Sequence, residues 1–338
     1  MRVLLLTAMY PTPQLPAYGT FVSTQERTLR AAGVDVDVHV VGRGWHEDAR
    51  GGVRKYAAAL PRLRARMRRG DVDLVHAHYS YPGLLALTQG LAPVVVTYHG
   101  DDVLGTVGAD GRTTAISRRV VVPASRWLAQ RVAATIVQSE EMARALRRPD
   151  VHIVPCEVDF DVFHPVARSA ARAELGLDPD ARYMLFAANP QIAVKNYPFA
   201  KAVAQRARER FPDAALLTIH EATQPRLALY MNACDVLLFP SYQEGSPNVV
   251  KQALACNLPI VATDVGDVRA VIGDAPECAV VDHDLDVFTK HVEEVLASRA
   301  RTIGAPHVAQ FAPAHIGSAL IEIYSDVLRR SHRATGAP

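Results

Sequence analysis

Residues 236–265 read VLLFPSYQEGSPNVVKQALACNLPIVATDV. An apolar run closes on Pro240, a polar turn holding Gly245, Ser246 and Pro247 follows, then a short apolar-periodic helix, then a second apolar run beginning at Pro259. Strand, turn, helix and strand in that order make a parallel crossover unit. In this unit Ser246 is expected as the N-cap and Pro247 as the first helical residue. Asn257 is the expected left-handed terminator, with Pro259 just beyond. The helix entrance then shows free N–H groups and a positive dipole end where the chain leaves the sheet, a place that suits a phosphate. Glu244 stands just before that turn with no basic residue inside it. It is placed to accept hydrogen bonds from sugar hydroxyls, and Gln252 lies further along the same wall. The plainer reading, an acid that only complements the helix dipole, fits the Gly-Ser-Pro context less well.

The same alternation extends outward in both directions. Strand patterns are RVLLLTA, VDVDVHVV, DLVHAH, PVVVTYH, TIVQS and HIVP in the first half, then YMLFAA, ALLTIH, VLLFP, PIVATDV and CAVV. Helical patterns fill 20–32, 61–69, 82–89, 115–133, 139–147, 197–210, 225–233, 247–256 and 286–298. Apolar strands alternating with helices indicate α/β architecture with doubly wound parallel sheets. A length of 338 residues exceeds what one core usually fills. The join lies near 158–172, so the expected domains are 1–160 and 161–312, with residues 313–338 forming a last amphipathic helix and tail that pack back on the first. Ligands of such sheets bind beyond the carboxyl ends of the strands, and two sheets facing each other would place them in a cleft.

Composition narrows the function. A net charge of +2 gives no footprint for nucleic acid, and 49% hydrophobic with 21% charged residues is that of a globular enzyme. Cys156, Cys234, Cys256 and Cys278 are too scattered for a disulfide frame or a zinc site, which fits a cytoplasmic protein. MRVLLLTAMYP lacks a cleavage site and reads as a first buried strand, and no run reaches the length of a membrane span. GRGWHEDARGG, 42–52, fails the dinucleotide-binding spacing, and no phosphate-binding P-loop motif occurs. The arginines of PRLRARMRRG, 61–70, flank too narrow an apolar stripe to favour lipid docking over a solvated face. His76 and His78 share one strand face but lack a third ligand, so strand-end packing is preferred to metal binding. The Asp-x-Asp triplets flank strands and turns, and no metal is assigned to them.

FPSYQEGSPNVVKQALACNLPIVATDVG resembles the donor-site signature of retaining glycosyltransferases of the GT-B fold, family 4 (glycosyl transferases group 1). YPTPQLPAYGTFV, DLVHAHYSYPG, VVTYHGDDV, VDFDVFHP and NPQIAVKNYP extend the resemblance over most of the chain. It implies two Rossmann-like domains facing across a cleft, the acceptor in the first and a nucleoside-diphosphate sugar in the second. It further implies that Glu244 contacts the transferred sugar, and that Gly245, Ser246 and Pro247 form the turn approaching its hydroxyls. Asn248 and Val249 would hold the diphosphate, with Lys195 neutralising the leaving group. His99 would touch the sugar near the anomeric carbon, while Gly19, Thr20 and Phe21 would lie close to the diphosphate and acceptor. Three regions depart from the pattern. Gln252 stands where a second acid usually grips the ribose. Ile192 and Pro190 fill the region that usually carries an arginine, and Glu157 replaces a glycine.

The expectation is therefore a retaining transferase that uses a UDP- or GDP-sugar as co-substrate and a small soluble acceptor, without resident cofactor or metal. The alternative is a catalytically weakened relative that binds nucleotide sugars or serves assembly. A phosphorylase on this scaffold would need a pyridoxal-phosphate lysine site, which is not found.

Overall fold

β1, Arg2–Thr7, shows how the sheets are built. Leu4 and Leu6 point to one face and pack with Leu63, Leu85 and Leu128, whereas Val3 and Leu5 point to the other and pack with Leu29 and Leu320. A strand buried on both faces belongs to a parallel sheet sandwiched between helices. The structure, a computed structural model, describes residues 1–42, 54–108 and 110–335. GRGWHEDARGG therefore lies outside the described residues beyond Gly42.

The remaining strands of the first sheet are β2 (Asp35–Val40), β3 (Leu74–His78), β4 (Val94–Thr97), β5 (Ala134–Val137) and β6 (Val151–Ile153). They run parallel in the order β2-β1-β3-β4-β5-β6. The second sheet comprises β7 (Arg182–Phe186), β8 (Ala214–Thr218), β9 (Val236–Phe239), β10 (Ile260–Thr263) and β11 (Ala279–Val281). Its order is β11-β10-β9-β7-β8, again parallel. In each sheet the winding reverses between two neighbours, β1/β3 and β7/β9, and crevices open beyond the strand ends at such points. Both doubly wound sheets expected from the alternation are present.

The chain divides into two compact units, one of residues 1–106, 113–157 and 313–338, the other of residues 107–112 and 158–312. The last helix, Pro313–Thr335, buries Ile316, Leu320, Ile323, Tyr324 and Val327 against the first sheet, a stripe at helical spacing. The expected helix over 115–133 divides into a π turn, Ser117–Val121, and an α segment, Val122–Ala129. The arginine-rich helix, Arg54–Met67, begins earlier than its pattern suggested, and Arg66 pairs with Asp37 at 2.5 Å and Asp71 at 2.6 Å. Arg2 pairs with Asp35 and Asp71, both at 2.5 Å. Two Asp-x-Asp triplets thus spend carboxylates on strand-end ion pairs.

Candidate active site

In the second unit, the chain leaves β9 through Pro240 and Ser241 into the SYQEG loop. That loop is tied to the Ala193–Lys195 turn, since the amide of Tyr242 donates to the carbonyl of Val194 at 2.9 Å. The tie brings together two residues 49 apart in sequence: Lys195 Nζ lies 2.6 Å from Glu244 Oε1. Glu244, read in the sequence as an acid without a neighbouring base, is thus an ion-paired acid, with side-chain exposure of 13% against 26% for the lysine. The partner was hidden because it comes from another crossover of the same sheet. A small cavity at the β7/β9 switch point is lined by Phe186, Ala188, Lys195, Leu238, Pro240 and Val249.

The helix after the loop runs Asn248–Ala255. Ser246 is not its N-cap. Pro247 takes that place with extended geometry (φ −72°, ψ 117°) and no side chain caps the helix. The helix therefore starts one residue later than expected, with the Ser246 hydroxyl bonded to none of its amides. Ser246 Oγ and Asn248 Oδ1 are buried at this entrance without a hydrogen-bond partner. Burial raises the Asp267 carboxyl above its usual range, and nearby Ser246 and Lys251 partly offset the rise. Ser246 is near enough for that effect but outside bonding geometry. Val249 and Gln252 are half-buried on the helix, and Gln252 sits four residues from Asn248, on the same face. Asn257 is left-handed (φ 55°), as its position past the helix suggested.

One residue of this site escaped the sequence reading. Gly266 has φ +58°, and a Cβ there would lie 2.5 Å from the carbonyl oxygen of Gly245 and 2.8 Å from that of Glu244. Only glycine lets the chain after β10 pass so close to the Glu244 turn.

In the first unit, the strand ends supply a second cluster. Gly19 is left-handed (φ 73°), and its missing Cβ leaves room for the Met9 carbonyl, which would otherwise sit 2.5 Å away. The helix it opens, Thr20–Ala31, has neither a side-chain cap nor an acid in its first turn. Phe21 lies on that turn, its ring 4.6 Å from the ring of His99. His99 follows β4 and is 8% exposed. Its amide donates to Asp102 Oδ1 at 2.9 Å. Asp102 also accepts from the Ser80 amide at 2.9 Å, and burial pushes its carboxyl up to about 7. Both ring nitrogens of His99 face protein groups: Nδ1 lies 2.8 Å from Gln138 Nε2, and Nε2 lies 3.3 Å from His78 Nδ1.

His76 is bonded on both sides, to Tyr324 Oη at 2.6 Å and Thr97 Oγ1 at 2.7 Å. Burial holds all three imidazoles below the usual histidine range, His78 down to about 3. His76 is therefore packing, as preferred from the sequence, while His78 is a partner of His99. Among the described residues no group of three or more His, Cys, Asp or Glu side chains is arranged to hold a metal ion. No described helix is long and apolar enough to cross a membrane.

Phe21 and His99 thus belong to one cluster, and Lys195, Glu244 to Val249 and Gln252 to another. A lysine beside an acid, unpartnered polar atoms and an uncapped helix entrance can take up a phosphate and sugar hydroxyls.

A family model described as Glycosyltransferase Family 4 matches residues 19–162, and one described as Glycosyl transferases group 1 matches residues 183–298. D-inositol 3-phosphate glycosyltransferase of Mycolicibacterium smegmatis is 27% identical over 323 residues, covering 80% of this chain and 71% of that protein. The sucrose-phosphate synthase structure from Thermosynechococcus elongatus superposes with a TM-score of 0.77 at 18% identity, covering 98% of this chain and all of that one (100%). Anabaena HepE, solved in complex with UDP, superposes with a TM-score of 0.64 at 15% identity over 96% of this chain and 100% of its own. With its two parallel sheets and both family models matched in order, the chain belongs to the family 4 glycosyltransferases of the GT-B fold and is an enzyme of that class.

Proposed function

We propose that the enzyme moves a sugar from a UDP- or GDP-sugar to a small soluble acceptor with retention of anomeric configuration. The observation that carries the donor half is the uncapped entrance of the Asn248–Ala255 helix, where Ser246 Oγ and Asn248 Oδ1 are buried without partners beside the Lys195–Glu244 pair. Unsatisfied buried polar atoms cost about 1–3 kcal/mol each, and a bound hydroxyl or phosphate relieves that cost. The helix entrance and Lys195 would take the diphosphate, and Glu244 would accept hydrogen bonds from the sugar hydroxyls. Gln252, on the Asn248 face, would reach one ribose hydroxyl as a neutral partner. HepE was crystallised with UDP, and the mycobacterial relative is named for a phosphorylated inositol, which supports a nucleotide donor and a small polyol-like acceptor.

The chemistry asks little of a protein base. As the bond from the anomeric carbon to the diphosphate breaks, its electron pair passes to the phosphate oxygen and positive charge builds on the sugar. The acceptor hydroxyl attacks from the face the diphosphate leaves, and its proton goes to the departing phosphate oxygen. Lys195 and the helix amides stabilise the charge that develops there, and positioning does the rest. The reading needs no resident metal or cofactor. The test is turnover of a panel of UDP- and GDP-sugars with small polyol and sugar-phosphate acceptors, scored for nucleotide release and for the anomeric configuration of the product. Nucleotide binding without release in every combination would favour the weakened relative, and an inverted product would overturn retention.

A further inference from the structure

His78, His99 and Gln138 stand at the carboxyl ends of β3, β4 and β5, three neighbouring strands of one sheet. Their side chains form a buried row: Gln138 Nε2 is 2.8 Å from His99 Nδ1, and His99 Nε2 is 3.3 Å from His78 Nδ1. An amide nitrogen only donates, so His99 Nδ1 must be the bare, accepting nitrogen of its ring. The same Gln138 nitrogen lies 3.7 Å from Cys156 Sγ, which can accept from it. The proton of His99 then sits on Nε2 and points at His78 Nδ1. His78 in turn carries its proton on its own Nε2, an atom buried without a partner. The 3.3 Å separation is long for a hydrogen bond between ring nitrogens, so the His99 donor is weakly engaged.

We propose that Gln138 and His78 are positioning residues that hold His99 in the tautomer with its proton on Nε2, so that His99 meets a substrate oxygen as a hydrogen-bond donor and not as a base. The assignment of a substrate oxygen to His99 rests on the transferase reading above; the tautomer does not. On that reading an incoming hydroxyl oxygen takes over the Nε2–H bond, which His78 Nδ1 holds only at 3.3 Å. Phe21, 4.6 Å from the ring, restricts its tilt while the exchange occurs.

The experiment is long-range ring correlation NMR on protein labelled with ¹⁵N-histidine, with His99 assigned by the signals lost in His99→Asn. The wild type is expected to show His99 protonated on Nε2 alone at neutral pH. Gln138→Glu is nearly isosteric and puts an acceptor at the same place, so the His99 proton should move to Nδ1 or a second proton should be bound there. Gln138→Leu removes the donor and should leave a mixture of tautomers. A wild-type spectrum with the proton on Nδ1, or one unchanged in Gln138→Glu, overturns the proposal. With a donor sugar in hand, Gln138→Glu should lower kcat by at least about tenfold with a smaller change in KM, in line with the penalty for a misplaced imidazole proton. A kcat within twofold of wild type would contradict the role assigned to the tautomer. If no sugar nucleotide is turned over, the spectra still decide the tautomer, so failure of the transferase reading and failure of this proposal are distinguishable.

Discussion

Replacing Glu244 by Gln should tighten the binding of a nucleoside diphosphate even as it removes transfer. Lys195 Nζ and Glu244 Oε1 are 2.6 Å apart, so without nucleotide the lysine is already neutralised by the acid. A diphosphate that recruits Lys195 must compete with that carboxylate. The gross attraction of unit charges at this separation is roughly 6 kcal/mol at an effective dielectric of about 20. Exposure of 26% on the lysine side lets water and salt screen it, and pairs open to solvent contribute about 1 kcal/mol or less. Removing the competing charge should therefore strengthen UDP or GDP binding by about fivefold at low salt, and less as salt is raised. Transfer should fall by about 100-fold or more, because the sugar loses its charged acceptor. Calorimetric titration at two salt concentrations, paired with a nucleotide-release assay, reads both effects. Weaker or unchanged nucleotide affinity in Glu244→Gln would show that the pair does not compete with phosphate.

Other perturbations follow from the same geometry. Gly266→Ala drives a Cβ to 2.5 Å from the Gly245 carbonyl oxygen at φ +58°, so the Glu244 turn must shift; it should cost about 1–3 kcal/mol in unfolding free energy and most of the activity, and a variant with wild-type kcat would contradict the placement. Gln252→Glu should increase nucleoside affinity if residue 252 faces the ribose, and an unchanged Kd would count against that face. Stability should fall as the pH drops. His76, His78 and His99 are depressed in the fold, so their contribution is present above the unfolded histidine pKa of about 6.5 and is lost on acidification. Asp102, raised to about 7, works in the opposite direction between about pH 4 and 7. The three depressed histidines outnumber the one raised carboxyl here, so these groups together take up protons on unfolding below about pH 6.5. Denaturant melts at pH 5.5 and 7.5 check the sign, and greater stability at the lower pH would contradict it.

Much of the architecture was legible because the strands are buried on both faces and read as unbroken apolar runs, as Val3 to Leu6 and Val94 to Val96 show. The loop from Ser241 to Pro247 stood out in the sequence as a polar Gly-Ser-Pro turn at a strand end, but its packing against Val194 and Gly266 did not. Its finer geometry was not legible. The start of the helix depends on whether the Ser246 hydroxyl reaches the backbone amides ahead of it, which here it does not, and the extended Pro247 takes the cap position. Lys195 and Glu244 were both singled out, yet their pairing arises from the adjacency of β7 and β9, which chain order hides. The row Gln138, His99, His78 is likewise a product of strand order. Period two places His76 and His78 on one face of β3, but only the neighbouring strand separates the one that packs on Tyr324 from the one that meets His99.

The central claim is that a diphosphate is held where Lys195 meets the entrance of the Asn248–Ala255 helix. The measurement that tests it most directly is a titration of wild type and Lys195→Ala with a nucleoside diphosphate and with the matching nucleoside. The substitution should weaken the diphosphate by about tenfold or more and leave the nucleoside within twofold. Equal losses for the two ligands, or no loss for either, would contradict it.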